Sequence, residues 1–140
     1  MYEYSCKVER VVDGDTVDVM LDLGFDILYN CRVRLFGIDT PESRTRNLDE
    51  KARGKMASAF LKEAIDNGTK VVIQTKLKDS RGKFGRVLGN VVVDGKNINQ
   101  SMIENYHAAA YFGQNKEAIE AVHSANRTRL IELGLFKPVE

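Results

Sequence analysis

The 140-residue chain contains no tryptophan and only two cysteines, two prolines and two histidines. Neither His107 nor His123 has a histidine or cysteine partner at the spacing that zinc sites use. Cys6 and Cys31 lie far apart in alternating apolar patterns, which predicts buried free thiols and leaves a disulfide between them as the alternative. The nucleophile elbow of acyl transfer and the phosphate loop of triphosphate binding are also missing. These absences leave zinc, acyl-transfer and nucleotide-triphosphate chemistry without support.

Long apolar runs are missing as well. No stretch approaches the roughly 18 apolar residues of a membrane span. The first ten residues, MYEYSCKVER, do not have the basic and then apolar order of an export signal. We therefore expect a soluble, cytoplasmic protein with no membrane association and no obligate protein partner. The length and the lack of internal repeats predict a single domain over residues 1–140.

The net charge is only +1, but the charges are unevenly distributed along the chain. Residues 1–50 contain 6 Lys and Arg against 11 Asp and Glu, whereas residues 51–100 contain 11 against 4. This distribution suits a protein that holds both a metal cation and a polyanion. Two solvated faces of opposite sign would give the same pattern, so charge alone leaves both interpretations open.

Alternating apolar residues predict five β-strands. They span residues 4–8, 17–23, 31–35, 71–73 and 87–93. The first two are joined near the turn Asp13-Gly14, and the last ends at Asp94-Gly95, a two-residue hairpin signal. Arg34 alternates with apolar neighbours in the third strand, which places its side chain on the face opposite the apolar one.

Helical periodicity predicts three helices, at residues 49–65, 99–106 and 115–133. The apolar repeat of the first consists of Met56, Phe60 and Ala64, and that of the last consists of Ala118, Ile119, Val122 and Ala125. One helix lies between the third and fourth strands, and two follow the fifth. This order predicts an α+β fold, a five-stranded barrel of the OB type with about three helices packed against it.

Carboxylates are concentrated in two predicted turns. Asp13 and Asp15 flank a glycine, and Asp39 and Glu42 flank Thr40-Pro41 just after the third strand. Each turn has a purely structural interpretation, because Asp-Gly is common in turns and Thr-Pro-Glu is typical of a capped helix start. Sites on OB barrels lie at strand ends and loops, however, and hard oxygen ligands gathered there favour Ca²⁺ or Mg²⁺.

Basic residues supply the other half of the candidate chemistry. Arg34 precedes the second acidic turn, and a later segment contains Lys76, Lys78, Arg81, Lys83 and Arg86. Hydrolysis of a phosphodiester requires charge stabilisation at phosphorus, a positioned water and a proton acceptor. A cation, two arginines and a free carboxylate meet those needs. Taken alone, such a basic segment is more often a solvated loop.

Three motifs, in this order, resemble the staphylococcal nuclease (thermonuclease) family. They are VDGDTV at residues 12–17, RLFGIDTPE at residues 34–42 and KFGR at residues 83–86. The resemblance covers roughly residues 8–135 and implies an OB-fold. It also implies calcium-dependent hydrolysis of DNA or RNA by cleavage of the P–O5′ bond, which leaves 3′-phosphates.

The same resemblance implies a metal site. Asp15 and Asp39 would bind Ca²⁺ through their carboxylates and Thr40 through its backbone carbonyl, with Asp13 behind them. Glu42 corresponds to the carboxylate that activates or orients the attacking water.

Arg34 and Arg86 correspond to the two arginines that clamp the phosphate, so the implied catalytic residues are Arg34, Glu42 and Arg86. The implied substrate-binding residues are Lys83, Phe84 and Tyr111. Phe84 stands where the best-known member of the family has a tyrosine, which removes a hydroxyl contact to a terminal phosphate. Gly113 stands where a second aromatic is expected.

Two alternatives belong to other functional classes. A noncatalytic OB-fold module would bind single-stranded nucleic acid or a protein, but such modules typically lack parts of the acidic and arginine set, and the lack of tryptophan argues mildly against a stacking platform. A structural calcium-binding domain would leave both arginines without a role.

A nuclease without an export signal could degrade the nucleic acids of its own cell. Two hypotheses address this: low cytosolic Ca²⁺ restrains its activity, or it belongs to a virus or mobile element.

Overall fold

The computed structural model describes residues 2–75 and 86–139. Their strands are β1 (Tyr2–Asp13), β2 (Thr16–Asp22), β3 (Leu28–Leu35), β4 (Ile38–Asp39), β5 (Val71–Thr75), β6 (Val87–Val93), β7 (Lys96–Asn97) and β8 (Ala109–Ala110). Their helices are α1 (Leu48–Asp66), α2 (Ile98–Glu104) and α3 (Lys116–Glu132).

Five of these strands form a closed barrel. They are hydrogen-bonded in the order β3-β2-β1-β5-β6, and parallel pairing of β3 with β6 closes the ring. The predicted α+β fold, an OB-type barrel with three helices, is therefore confirmed. The predicted hairpin after β6 is confirmed too, because β7 pairs with β6 across Asp94 (φ 50°) and Gly95 (φ 83°).

Alternation along β2 and β3 separates the core from the site. Val17 and Val33 are fully buried and face each other across the two strands inside the barrel. Their neighbours Thr16 and Arg34 are also opposite each other, on the other face of the sheet. The register of the β2–β3 pair therefore places Arg34 outside the core, as the sequence predicts.

Helix α1 begins later than the acidic turn, and its most deeply buried residues are not the ones that the apolar repeat predicts. The Asn47 side chain caps it by accepting a hydrogen bond from the Glu50 backbone N–H at 3.0 Å. The interpretation of Thr40-Pro41-Glu42 as a capped helix start is therefore wrong. The predicted apolar face is confirmed in part: Phe60 and Ala64 are half-buried and pack against the core, and the fully buried residues of the helix are Gly54, Ala57 and Leu61. Small side chains let this helix lie close to its neighbours.

The predicted packing face of α3 is wrong, because Ala118, Val122 and Ala125 are exposed and Ile119 is only partly buried. Val122 is 38% exposed, whereas His123 and Leu130 are the buried residues. Polar contacts attach this helix to the rest of the protein: Arg127 donates to both carboxylate oxygens of Asp49 at 3.0 and 3.1 Å. Apolar periodicity therefore does not identify the face on which α3 packs.

A small second sheet was not predicted. It consists of β4 and β8, which pair Ile38 with Ala110 and Asp39 with Ala109. The Tyr111 backbone N–H then donates to the Gly37 carbonyl at 2.8 Å. This sheet joins the loop after β3 to the segment that follows α2, and it therefore brings Tyr111 to the acidic turn.

Cys6 and Cys31 are both thiols, and each is partly rather than fully buried. They belong to β1 and β3, which lie on opposite sides of β2. Burial raises the pKa of the Cys6 thiol to about 11, and the nearby Cys31 adds to the rise. In the part of the chain that the structure covers, no helix has the length and apolar character needed to cross a bilayer.

Candidate active site

Asp15, in the turn between β1 and β2, accepts hydrogen bonds from two sides. The Thr16 hydroxyl donates to its Oδ1 at 3.0 Å, and the Thr40 hydroxyl and backbone N–H donate to its Oδ2 at 3.0 and 3.3 Å. A Cβ on Gly14 would lie 2.7 Å from the Cβ of Ala57 in α1, so the turn packs closely only with glycine there. Two residues from separate acidic turns are thus brought into direct contact.

Arg34 lies between the two acidic turns. Its Nη1 is 3.5 Å from Asp15 Oδ2 and its Nη2 is 3.8 Å from Asp39 Oδ1. Nη1 also donates to the Leu35 carbonyl at 3.0 Å, which fixes the guanidinium against β3. The separations from the carboxylates exceed those of short charge-assisted hydrogen bonds. Both carboxylates therefore keep lone pairs that are available to another cation.

Asp39 is oriented by a residue that sequence reasoning missed. His123 Nε2 lies 2.8 Å from Asp39 Oδ2, and the histidine is only 7% exposed. Because an ionised carboxylate only accepts hydrogen bonds, this contact requires the proton on Nε2. The partners are 84 residues apart, so no local pattern in the sequence links them.

Glu42 is held by its backbone against the start of α1. Its N–H donates to Glu50 Oε2 at 3.2 Å. A Cβ on Gly54 would lie 2.7 Å from the Glu42 carbonyl carbon and oxygen and from the Pro41 oxygen. The loop and the helix therefore approach as closely as a glycine allows.

The Glu42 side chain is solvent-exposed, but its surroundings disfavour the charged form. Partial desolvation raises the pKa of Glu42, and the carboxylates of Asp15, Asp13 and Asp39 add to the rise. Asp13 itself accepts a hydrogen bond from the Ser43 hydroxyl at 2.7 Å. The carboxylates of the two turns thus form one electrostatically coupled group.

An open pocket of about 840 Å³ adjoins this group. Its walls include Arg34, Asp39, Arg86, Phe36, Tyr111 and Phe112. Tyr111 is 46% exposed and Phe112 is 81% exposed. The predicted residues Arg34, Arg86 and Tyr111 therefore share one pocket, and Phe112 is an aromatic neighbour that the sequence analysis did not single out. Lys83 and Phe84 lie outside the described residues.

The predicted metal ligands contribute two carboxylates and one backbone carbonyl. Among residues 2–75 and 86–139, no group of three or more His, Cys, Asp or Glu side chains is placed to hold a metal ion. Asp15 and Asp39 nevertheless both adjoin the Arg34 guanidinium, and Thr40 is in contact with Asp15. The donors are hard oxygens, so the set fits Ca²⁺ better than a transition metal.

Comparison with known proteins gives a match to one family. Residues 32–131 match the family model described as staphylococcal nuclease homologue. The chain belongs to the staphylococcal nuclease family. The resemblance seen in the three sequence motifs is thereby confirmed. The matched range contains Arg34, Asp39, Glu42, Arg86 and Tyr111.

Several curated relatives of this staphylococcal nuclease family member are named endonucleases. Endonuclease YhcR of Bacillus subtilis (strain 168) is 33% identical over 116 residues, which cover 79% of this chain and 9% of YhcR. Endonuclease YncB of the same organism is 33% identical over 103 residues, 71% of this chain and 44% of YncB. An uncharacterized endonuclease of Escherichia coli is 30% identical over 135 residues, 96% of this chain and 78% of that protein. The chain thus spans less than half the length of either Bacillus relative.

Proposed function

We propose that this protein is a Ca²⁺-dependent nuclease that hydrolyses the phosphodiester bonds of DNA and RNA. The observation that carries the proposal is the position of Arg34, within 3.5 Å of Asp15 and 3.8 Å of Asp39, in the wall of a pocket that also includes Arg86. Membership of the staphylococcal nuclease family and the names of the relatives support a nuclease. The position of the bond that is cleaved, P–O5′ with a 3′-phosphate product, is part of the proposal.

The arginines bind and stabilise the phosphate. Arg34 and Arg86 both line the pocket, so a phosphate there is within reach of two guanidinium groups. Their forks donate to the nonbridging oxygens, which carry more negative charge in the pentacoordinate transition state than in the substrate. Arg34 is fixed by its hydrogen bond to Leu35, which reduces the reorganisation needed when the substrate binds.

Glu42 accepts the proton of the attacking water. The oxygen of that water forms a bond to phosphorus as the P–O5′ bond breaks, and the leaving O5′ takes up a proton from solvent. In the metal-free protein partial desolvation and the neighbouring carboxylates raise the pKa of Glu42, so a cation held nearby would favour its ionised, proton-accepting form. Asp15, Asp39 and the Thr40 carbonyl would hold Ca²⁺, which supplies positive charge to the phosphoryl oxygens.

Cleavage of single-stranded DNA tests the proposal. Purified protein is incubated with Ca²⁺, with Mg²⁺ and with a chelator, alongside the Glu42→Gln and Arg86→Ala variants. We expect cleavage that requires Ca²⁺ and falls by about 100-fold or more in either variant, because each loses proton transfer or charge stabilisation in the transition state.

Glu63→Gln is the matched control, since Glu63 is an exposed carboxylate on α1 outside the acidic turns. It should retain wild-type cleavage. Binding of DNA without cleavage under every condition would contradict the nuclease and favour the noncatalytic OB-fold module.

A further inference from the structure

A second groove, of about 630 Å³, lies beside the active-site pocket. Its walls include Tyr29, Asn30, Arg32, Arg44 and Arg86. Arg86 lines both cavities, so the groove and the pocket meet at a residue already proposed to bind the scissile phosphate. Aromatic and aliphatic side chains dominate the pocket, whereas polar side chains dominate the groove.

The groove is predominantly basic. Its three arginines face one carboxylate, that of Asp13, which already accepts a hydrogen bond from Ser43. Arg32 is held by Asp18, through Nε to Oδ1 at 2.8 Å and Nη2 to Oδ2 at 3.2 Å. Its guanidinium is thus oriented while nearly half of the side chain stays exposed.

Arg44 is the cation best placed to receive a ligand. It is exposed, and within residues 2–75 and 86–139 its side chain makes no hydrogen bond or ion pair. An unpaired guanidinium on a groove wall offers a complete donor fork to a phosphate, and binding does not require an existing ion pair to break.

We propose that this groove binds the nucleotides next to the scissile phosphate, through the phosphates of a continuing polynucleotide chain. The polynucleotide passes over Arg86, with one nucleotide in the active-site pocket and the neighbouring nucleotides along Arg44 and Arg32. This inference rests on the proposed nuclease function and extends it, because it makes the length of the substrate a determinant of affinity. The protein then favours internal bonds of a polynucleotide over the bond of a dinucleotide.

The test compares Arg44→Ala with wild-type protein on a dinucleotide and on a single strand of about a dozen nucleotides. We expect the KM for the longer strand to rise about tenfold, with kcat and the dinucleotide kinetics unchanged, because a single charged phosphate contact is lost. The slope of log affinity against log salt for the longer strand should fall by about 0.7. Arg44→Lys should restore most of that slope.

Arg46→Ala is the matched control, because Arg46 is an exposed arginine of the same loop that does not line the groove. It should behave as wild type on both substrates. An equal loss on both substrates in Arg44→Ala would place Arg44 at the scissile phosphate, and no loss on either would exclude the groove as a binding site; both results overturn the inference.

Failure of the nuclease proposal is distinguishable from failure of this inference. Binding of the labelled longer strand is measured by fluorescence anisotropy in chelator, where no cleavage is expected. If wild-type protein binds the strand but cleaves nothing with Ca²⁺, the nuclease proposal fails, and weaker binding by Arg44→Ala still supports the groove. Equal binding by Arg44→Ala and wild type overturns the groove whether or not cleavage occurs.

Discussion

Replacing Gly54 by alanine tests whether α1 sets the position of the proposed general base. The new Cβ would stand 2.7 Å from the Glu42 carbonyl carbon and oxygen and from the Pro41 oxygen. Carbon atoms in contact are normally about 3.5 to 4.0 Å apart. The atoms that would clash belong to the backbone and cannot rotate away, so either the loop or the helix must move by roughly 1 Å.

The expected effects on stability and on rate differ in size. Alanine is favoured over glycine inside a helix by about 1 kcal/mol, whereas overpacking costs about 1 to 3 kcal/mol. The net of the two terms is a decrease of about 0 to 2 kcal/mol in the free energy of unfolding of Gly54→Ala. A displacement of about 1 Å at a catalytic group costs about 100-fold in rate.

Urea denaturation and initial cleavage rates at saturating Ca²⁺ measure the two quantities. Gly68→Ala is the matched control, since its Cβ would clash with the side chain of Val93, a buried core residue, rather than with the backbone of the loop that carries Glu42. Gly68 lies beyond the far end of α1, roughly 20 Å from Gly54 along the helix. The control should lose stability and keep its rate. A folded Gly54→Ala protein that cleaves within threefold of wild type would refute the reasoning.

Three further predictions follow from individual contacts. His123→Gln keeps an N–H near the Asp39 carboxylate and should retain most activity, whereas His123→Leu should need more Ca²⁺ for half-maximal cleavage. Identical Ca²⁺ titrations of His123→Leu and wild type would show that His123 does not position Asp39. Asp49→Asn should lower the free energy of unfolding, measured by urea denaturation at pH 7, by about 1 to 3 kcal/mol. Hydrogen bonds from arginine lower the pKa of Asp49, so its contribution to folding stability is present above about pH 4 and is lost as pH falls through the lowered pKa. If stability fell with acid to the same extent in Asp49→Asn as in wild type, this would be contradicted. Cys6 should react with iodoacetamide at pH 8 far more slowly in folded Cys31→Ser protein than in urea, because burial disfavours its thiolate; equal rates would show that the thiol is accessible and ionised.

The barrel and the acidic turns were predictable because local patterns determine them. Alternation places Val17 and Val33 inside and Arg34 outside, whatever the rest of the chain does. Asp94-Gly95 adopts the positive φ angles that a two-residue hairpin requires. Features encoded within a few neighbouring residues are therefore readable from the sequence.

The residues that position the site were not predictable, because they act through contacts between residues that are far apart in the sequence. His123 meets Asp39 across 84 residues, and it lies on a helix in which three of the four residues of the predicted apolar face are exposed. The need for glycine at position 54 of α1 arises only from the contact with the loop that carries Glu42. Helical periodicity identifies a buried face from its apolar residues alone. It therefore overlooks a buried histidine, and it overlooks a glycine that is needed because a loop lies close to the helix.

The balance of charge explains why the proposed reaction would depend on a cation. Arg34 adjoins Asp15 and Asp39, but one guanidinium cannot neutralise two carboxylates, and Asp13 and Glu42 add further negative charge nearby. Partial desolvation raises the pKa of Glu42 and this excess adds to the rise, while the same negative charge would repel a phosphodiester anion. A divalent cation held by Asp15 and Asp39 would offset both charge effects, since it favours ionised Glu42 and attracts the phosphate. The same carboxylates that disfavour catalysis in the metal-free protein would then make it possible with Ca²⁺.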